Sequence, residues 1–132
     1  MDGFDLTLLA ERYAVSRLPP GSAVAALTGG ALSAIIHTAH ETSLVTTEAE
    51  APAGGAAAGS SRVERGFRAF EVAGPLAFET VGVLAALTAA LAAAGVGVFA
   101  LSTFDTDYLL VREADLPRAV AALSGAGHRV TA

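Results

Sequence analysis

Thr80-Val81-Gly82-Val83-Leu84-Ala85-Ala86-Leu87-Thr88-Ala89-Ala90-Leu91-Ala92-Ala93-Ala94-Gly95-Val96-Gly97-Val98-Phe99-Ala100-Leu101-Ser102-Thr103-Phe104 decides the fold. This stretch of 25 residues carries no charge, which meets the length criterion for a transmembrane helix. Its composition argues otherwise. Between Val81 and Leu101, 11 of 21 positions are Ala or Gly, so the drive into a bilayer is weak. The periodicity also changes at Gly95. Leu84, Leu87 and Leu91 recur at helical spacing before it, whereas Val96, Val98 and Ala100 alternate with Gly97, Phe99 and Leu101 after it. That switch predicts a helix over about Thr80 to Ala94, a glycine stop, and a buried strand over 96–102.

The whole chain repeats this pattern of apparent, Ala-driven hydrophobicity. Of 132 residues 53% are hydrophobic, with a mean hydropathy of +0.56. Yet 31 are Ala, and the larger apolar residues alone are as frequent as in ordinary soluble domains. They are too plentiful for a disordered chain. A net charge of −5 argues against a nucleic-acid partner. With no Cys there is no disulfide framework, thiolate nucleophile or zinc ribbon. Met1-Asp2-Gly3-Phe4-Asp5 lacks the basic and apolar regions of a signal peptide, so a cytoplasmic protein with no membrane segment is expected.

Outward from the central stretch, Leu6 to Leu18 reads as extended and Pro19-Pro20-Gly21 ends it. Ser22 is positioned to cap a short helix to Leu27, stopped by Gly29-Gly30. Leu32–Thr38 and Thr42–Thr47 read as strands, residues 49–61 as an Ala/Gly-rich loop or degenerate helix, and Phe67–Val72 as a strand. After the central helix and strand come a strand over 107–112, a helix capped by Asp115, and a short strand from His128 to Thr131. An internal repeat organises these elements. An offset of 65 aligns Ile35-Ile36-His37-Thr38 with Ala100-Leu101-Ser102-Thr103, Leu44-Val45 with Leu109-Leu110, and Glu48-Ala49-Glu50 with Glu113-Ala114-Asp115. Two βαββαβ units are expected, an N-terminal one over 1–65 that is eroded and a C-terminal one over 66–132, each an antiparallel sheet with helices on one face.

Gly74-Pro75-Leu76-Ala77-Phe78-Glu79-Thr80-Val81-Gly82-Val83-Leu84, followed by Leu101-Ser102-Thr103-Phe104-Asp105-Thr106-Asp107-Tyr108-Leu109-Leu110-Val111, resembles ACT-domain proteins. The resemblance is closest to short bacterial proteins with tandem ACT repeats and to the repeats of CASTOR-type arginine sensors. It extends more weakly over residues 6–48. It implies an α+β class with tandem ferredoxin-like (βαββαβ) ACT repeats, a regulatory protein that is not an enzyme, an amino-acid ligand held between ACT units, no cofactor, and a homodimer. Val83, Thr103, Phe104 and Asp107 match liganding positions of the arginine-sensor repeats. At position 80 those repeats carry an acid that receives a cationic side chain. Thr80 stands there instead, which leaves a neutral amino acid as open as arginine.

The chemistry of these residues suits such a ligand. A helix N-terminus near Gly82 and Val83 offers backbone N–H groups and a partial positive charge to a carboxylate. Asp107 can accept from an ammonium, Thr103 can add a hydroxyl or carbonyl, and Phe104 a stacking wall. The candidate ligand-binding set is therefore Thr80, Gly82, Val83, Thr103, Phe104 and Asp107. Blander roles stand beside it. Asp105 and Asp107 also suit a turn that bonds its own backbone, and Glu79 a first-turn helix acid. His37-x-x-His40-Glu41 has metal-ligand residue types, but positions i and i+3 of a strand face opposite sides, so no metal site is expected. His128 reads as a surface or sheet-edge residue. Gly82, Ala86, Ala89 and Ala93 form a small-residue stripe suited to a second helix or to plain solvent. Two rival functions remain: a structural pairing module with a vestigial pocket, and a small enzyme using one of the three histidines as a base.

Overall fold

The computed structural model describes residues 3–52 and 61–132. In chain order the strands are β1 (Asp5–Leu8), β2 (Tyr13–Leu18), β3 (Ala34–His37), β4 (Thr42–Thr47), β5 (Arg62–Val72), β6 (Phe99–Ser102), β7 (Asp107–Arg112) and β8 (Arg129–Thr131). The helices are α1 (Val83–Ala93) and α2 (Leu116–Gly125), and single 3₁₀ turns occupy Glu48–Glu50 and Glu113–Asp115. The class is α+β and ferredoxin-like. Contacts divide the chain into Met1–Ala10 with Arg68–Ala132, and Glu11–Phe67. The 65/66 division of the sequence falls inside β5, which runs through both units.

The first unit follows the order β6-β7-β5-β1-β8. From β5 onward its elements run βαββαβ, and the N-terminal strand β1 is inserted between the first and last of these strands. It pairs antiparallel with β5 (Leu6 opposite Val72) and parallel with β8 (Leu6 opposite Val130). Phe70 and Val72 on β5, and Leu109 and Val111 on β7, alternate onto one face, where both helices cover them. From α1 come Val83, Leu87 and Leu91, and from α2 Ala119 and Leu123, all buried. Burying a side chain such as Leu87 completely stabilises the unit by about 2–3 kcal/mol. The expected Leu stripe is thus shifted: Val83 joins it, and Leu84 is only half-buried.

Helix α1 stops where its glycine directs. Gly95 has φ +72°, and the Val96 N–H reaches back to the Leu91 carbonyl at 2.9 Å while the Val96 side chain is buried. This is the six-to-one closure of a helix end. The most bilayer-like stretch therefore resolves into an 11-residue helix and a four-residue strand. Among the described residues no helix is long and apolar enough to cross a membrane.

In the second unit the strand order is β3-β4-β2-β5, all antiparallel. A bulge between Tyr13 and Val15 shifts the β2–β5 register, and the Gly66 N–H on β5 donates to a Glu48 carboxylate oxygen at 2.7 Å. Tyr13 is fully buried with its hydroxyl on Glu11 at 3.1 Å. Burial first, and the Glu11 carboxylate second, push its pKa up to about 12.

Several expectations are corrected here. Residues 22–27 are not helical. The Ser22 hydroxyl donates back to the Pro19 carbonyl at 2.6 Å rather than capping forward, and six residues are too few to nucleate a helix without packing. In its place the Glu50 carboxylate accepts from the Thr28 and Gly29 N–H groups at 2.8 and 2.7 Å and orders the glycine turn. Asp115 makes no side-chain cap for α2; it pairs with Arg118 at 2.9 Å. His128 is buried rather than superficial. The extended run over 6–18 is two strands, which break at Leu9-Ala10-Glu11-Arg12 and enter different units. Most of the Ala/Gly-rich stretch over 49–61 lies outside the described residues.

Candidate functional site

The candidate site is built from two pieces of the first unit. One is the segment entering α1. Gly82 sits at the N-cap with φ +84° and ψ 0°, a left-handed conformation that a side chain would strain. Having no side chain, it supplies no cap, so the first-turn N–H groups of α1 keep no side-chain partner. The other piece is the β6–β7 hairpin, in which Ser102 stands opposite Asp107. Its turn is closed by the Thr103 N–H on the Thr106 carbonyl at 2.8 Å, and the Thr103 hydroxyl lies 3.2 Å from both the N–H and the carbonyl of Thr106. Two further bonds fasten the hairpin to its surroundings. The Thr106 hydroxyl donates to the Val72 carbonyl at 2.6 Å, and the Leu76 N–H donates to the Asp105 carbonyl at 2.7 Å.

These pieces enclose an open cavity of about 360 Å³. Thr80, Gly82, Val83, Thr103, Phe104 and Asp107 all line it, so the structure brings every candidate residue to one place. All of its lining residues belong to the first unit. Asp107 is half-buried, and its Oδ1 accepts from the Ser102 hydroxyl at 2.6 Å, a cross-strand bond rather than a turn contact. Thr103 spends its hydroxyl on the turn. Glu79 is exposed and is not among the lining residues.

Sequence reasoning missed Phe78, Ser102 and Leu76. Phe78 and Phe104 face each other with ring centroids 5.2 Å apart and a 37° tilt. The signal for Ser102 was its alignment with His37, whose Nδ1 lies 3.1 Å from the Thr42 hydroxyl in the corresponding hairpin. For Phe78 there was none, because the nine residues between Phe70 and Thr80 have no regular period.

The lining combines helix N–H donors, the carboxylates of Asp105 and Asp107, and an apolar wall, with no lysine, arginine or histidine. This set can hold a zwitterion, its carboxylate toward α1 and its ammonium toward Asp107. A second open cavity of about 330 Å³ shares Thr103, Asp105 and Thr106 and reaches Glu71, whose Oε2 accepts from the Tyr108 hydroxyl at 2.5 Å. Among the described residues no group of three or more His, Cys, Asp or Glu side chains could hold a metal ion. His37 and His40 are both exposed on or beside the β3–β4 turn, where the Thr38 hydroxyl accepts from the His40 N–H at 3.1 Å.

Residues 62–125 match the ACT-domain family model. The crystal structure of protein Atu0741 from Agobacterium tumefaciens is 33% identical, covers 98% of this chain and 93% of its own, and superposes with a TM-score of 0.85. Aspartate kinase from Clostridium acetobutylicum is 12% identical over 89% of this chain and 33% of the enzyme, with a TM-score of 0.66. The regulatory subunit of aspartate kinase from Thermus flavus is 13% identical over 94% of this chain and 96% of the subunit, with a TM-score of 0.58. At such identities the two kinases share the fold alone. No curated protein matches the chain. With a third of its residues shared with Atu0741 along nearly the full length of both, the chain belongs to the same family as that Agobacterium protein, and its residues 62–125 match an ACT domain.

Proposed function

We propose that this protein is a non-catalytic, cytoplasmic amino-acid sensor built from two ACT-like repeats and working as a homodimer without a cofactor. Its ligand occupies the cavity at the N-terminus of α1, whose lining lies within the first unit and not between repeats as the resemblance implied. One observation carries this reading: Thr80, Gly82, Val83, Thr103, Phe104 and Asp107 line a single cavity that combines helix N–H donors with a carboxylate. The ligand carboxylate meets the N–H groups of Val83 and its neighbours, and the ammonium meets Asp107. Likeness to a regulatory subunit of aspartate kinase supports a regulatory rather than a catalytic role.

A thermal-shift panel of the twenty amino acids on the full chain tests the proposal. A ligand at a hundred times its Kd stabilises a one-site binder by about 2.7 kcal/mol, so a true ligand raises Tm by several degrees. No shift with any amino acid refutes the sensor. No shift with any amino acid, together with a dimer by size-exclusion chromatography, would favour the pairing-module reading. The observation behind that second reading is strand β3, an edge on which Ile35 and Ile36 are both about two-fifths exposed.

A further inference from the structure

We propose that Phe78 and Phe104 are the specificity residues of this cavity and select an amino acid with a large apolar side chain; this rests on the sensor reading above. Of the five exposed large hydrophobic side chains among the described residues, Phe78 and Phe104 both line this cavity, 72% and 79% exposed. Phe78 comes from the segment entering α1 and Phe104 from the β6–β7 turn, so two separate pieces of chain each present a ring to the same opening. Their mutual contact leaves most of both rings in water. An apolar group seated against them removes that area from solvent, which favours it in proportion to the area covered.

The remaining lining narrows the choice further. No cationic side chain is present to receive an acidic ligand side chain. Asp107 is already engaged by Ser102 and is the carboxylate that meets the ammonium. Asp105 is exposed, and solvent weakens its attraction for a second positive charge. Leu76, Val83 and Leu84 continue the apolar wall from the rings. A volume of about 360 Å³ lies at the lower end of the range for small-ligand sites, about 300–1,000 Å³, and fits a single amino acid.

The test is titration calorimetry on the full chain with leucine, isoleucine, methionine and phenylalanine against glycine, aspartate, lysine and arginine. The best large apolar ligand is expected to bind at least about tenfold tighter than glycine. Phe78→Ala and Phe104→Ala should each weaken that ligand about tenfold and leave glycine unchanged, with Phe104→Leu restoring part of the loss. Both rings are exposed, so the variants keep the core intact. Nuclear Overhauser contacts from the ligand side chain to both rings provide a second readout. Preference for lysine or arginine, or Phe variants that weaken glycine and the apolar ligand equally, overturns the proposal while sparing the sensor. Binding by no amino acid overturns both.

Discussion

Replacing Asp107 by Asn removes one charge and little else. Asn keeps an oxygen that can accept from the Ser102 hydroxyl, now 2.6 Å from Asp107 Oδ1. The hairpin is closed by its own backbone between Thr103 and Thr106, so the turn does not depend on the substituted carboxylate. What is lost is the charge-assisted bond to the ligand ammonium. Bonds to charged groups contribute about 1.5–3 kcal/mol. Because Asp107 is half-buried, water screens part of the attraction, and the lower end applies. A loss of about 1.5 kcal/mol is close to a tenfold rise in Kd. Calorimetry with the amino acid and with its analogue lacking the amino group isolates the contact. Asp107→Asn should raise the Kd of the amino acid about tenfold and leave that of the analogue unchanged. An unchanged Kd for the amino acid, or an equal loss for both ligands, would refute the assignment of Asp107 to the ammonium.

Two predictions concern the scaffold. Tyr13, with its pKa raised to about 12, stays neutral in the folded chain over a range where an unfolded tyrosine ionises. Its contribution is therefore complete below about pH 10 and is lost as pH rises to about 12, a fall of about 2–3 kcal/mol. Urea unfolding at a series of alkaline pH values should show this extra fall in the wild type and not in Tyr13→Phe; parallel curves would disprove it. His128 is 7% exposed, accepts from the Phe4 N–H through Nδ1 at 3.0 Å, and stacks on the Phe4 ring with centroids 5.6 Å apart. His128→Phe keeps an aromatic ring but removes the acceptor, which should cost about 1–3 kcal/mol and speed hydrogen exchange at Phe4. Unchanged exchange and stability would remove His128 from its place as the fastener of β1.

The elements legible in the sequence were those whose signal is local. Leu87 and Leu91 at helical spacing, with Gly95 beyond them, located α1, and β4 and β7 have the bounds their apolar runs suggested. The candidate residues rested on the resemblance to ACT repeats; they lie in two short segments, 80–83 and 103–107, which the structure places beside one cavity. What escaped were long-range pairings. Nothing in Asp5-Leu6-Thr7-Leu8 says that it will pair with residues 70–72 and 129–131, since alternation reveals a face and never a partner strand. The burial of His128 was hidden likewise, because Phe4 lies 124 positions away. Glu50 bonding Thr28 and Gly29 replaced a helix that propensity alone favoured, an instance of tertiary context overriding a weak local preference.

The offset of 65 residues aligns the proposed amino-acid site with its counterpart in the other half of the chain. It maps β3 onto β6, β4 onto β7, and the 3₁₀ turn Glu48–Glu50 onto Glu113–Asp115, residue for residue. Even the turns correspond, with the Thr38 N–H on the Glu41 carbonyl at 2.9 Å as the Thr103 N–H is on that of Thr106. The hairpins then part in their chemistry. The position of Asp107 is taken by Thr42, which is fully buried and carries no charge for an ammonium. The position of Gly82 and Val83 is taken by Arg17 and Leu18, which lie in strand β2 with their backbone groups committed to β4. A carboxylate needs free N–H donors and an ammonium needs an acceptor. Of the two hairpins, β6–β7 stands with both beside it, so the same backbone device that closes a turn in one unit borders the proposed ligand cavity in the other.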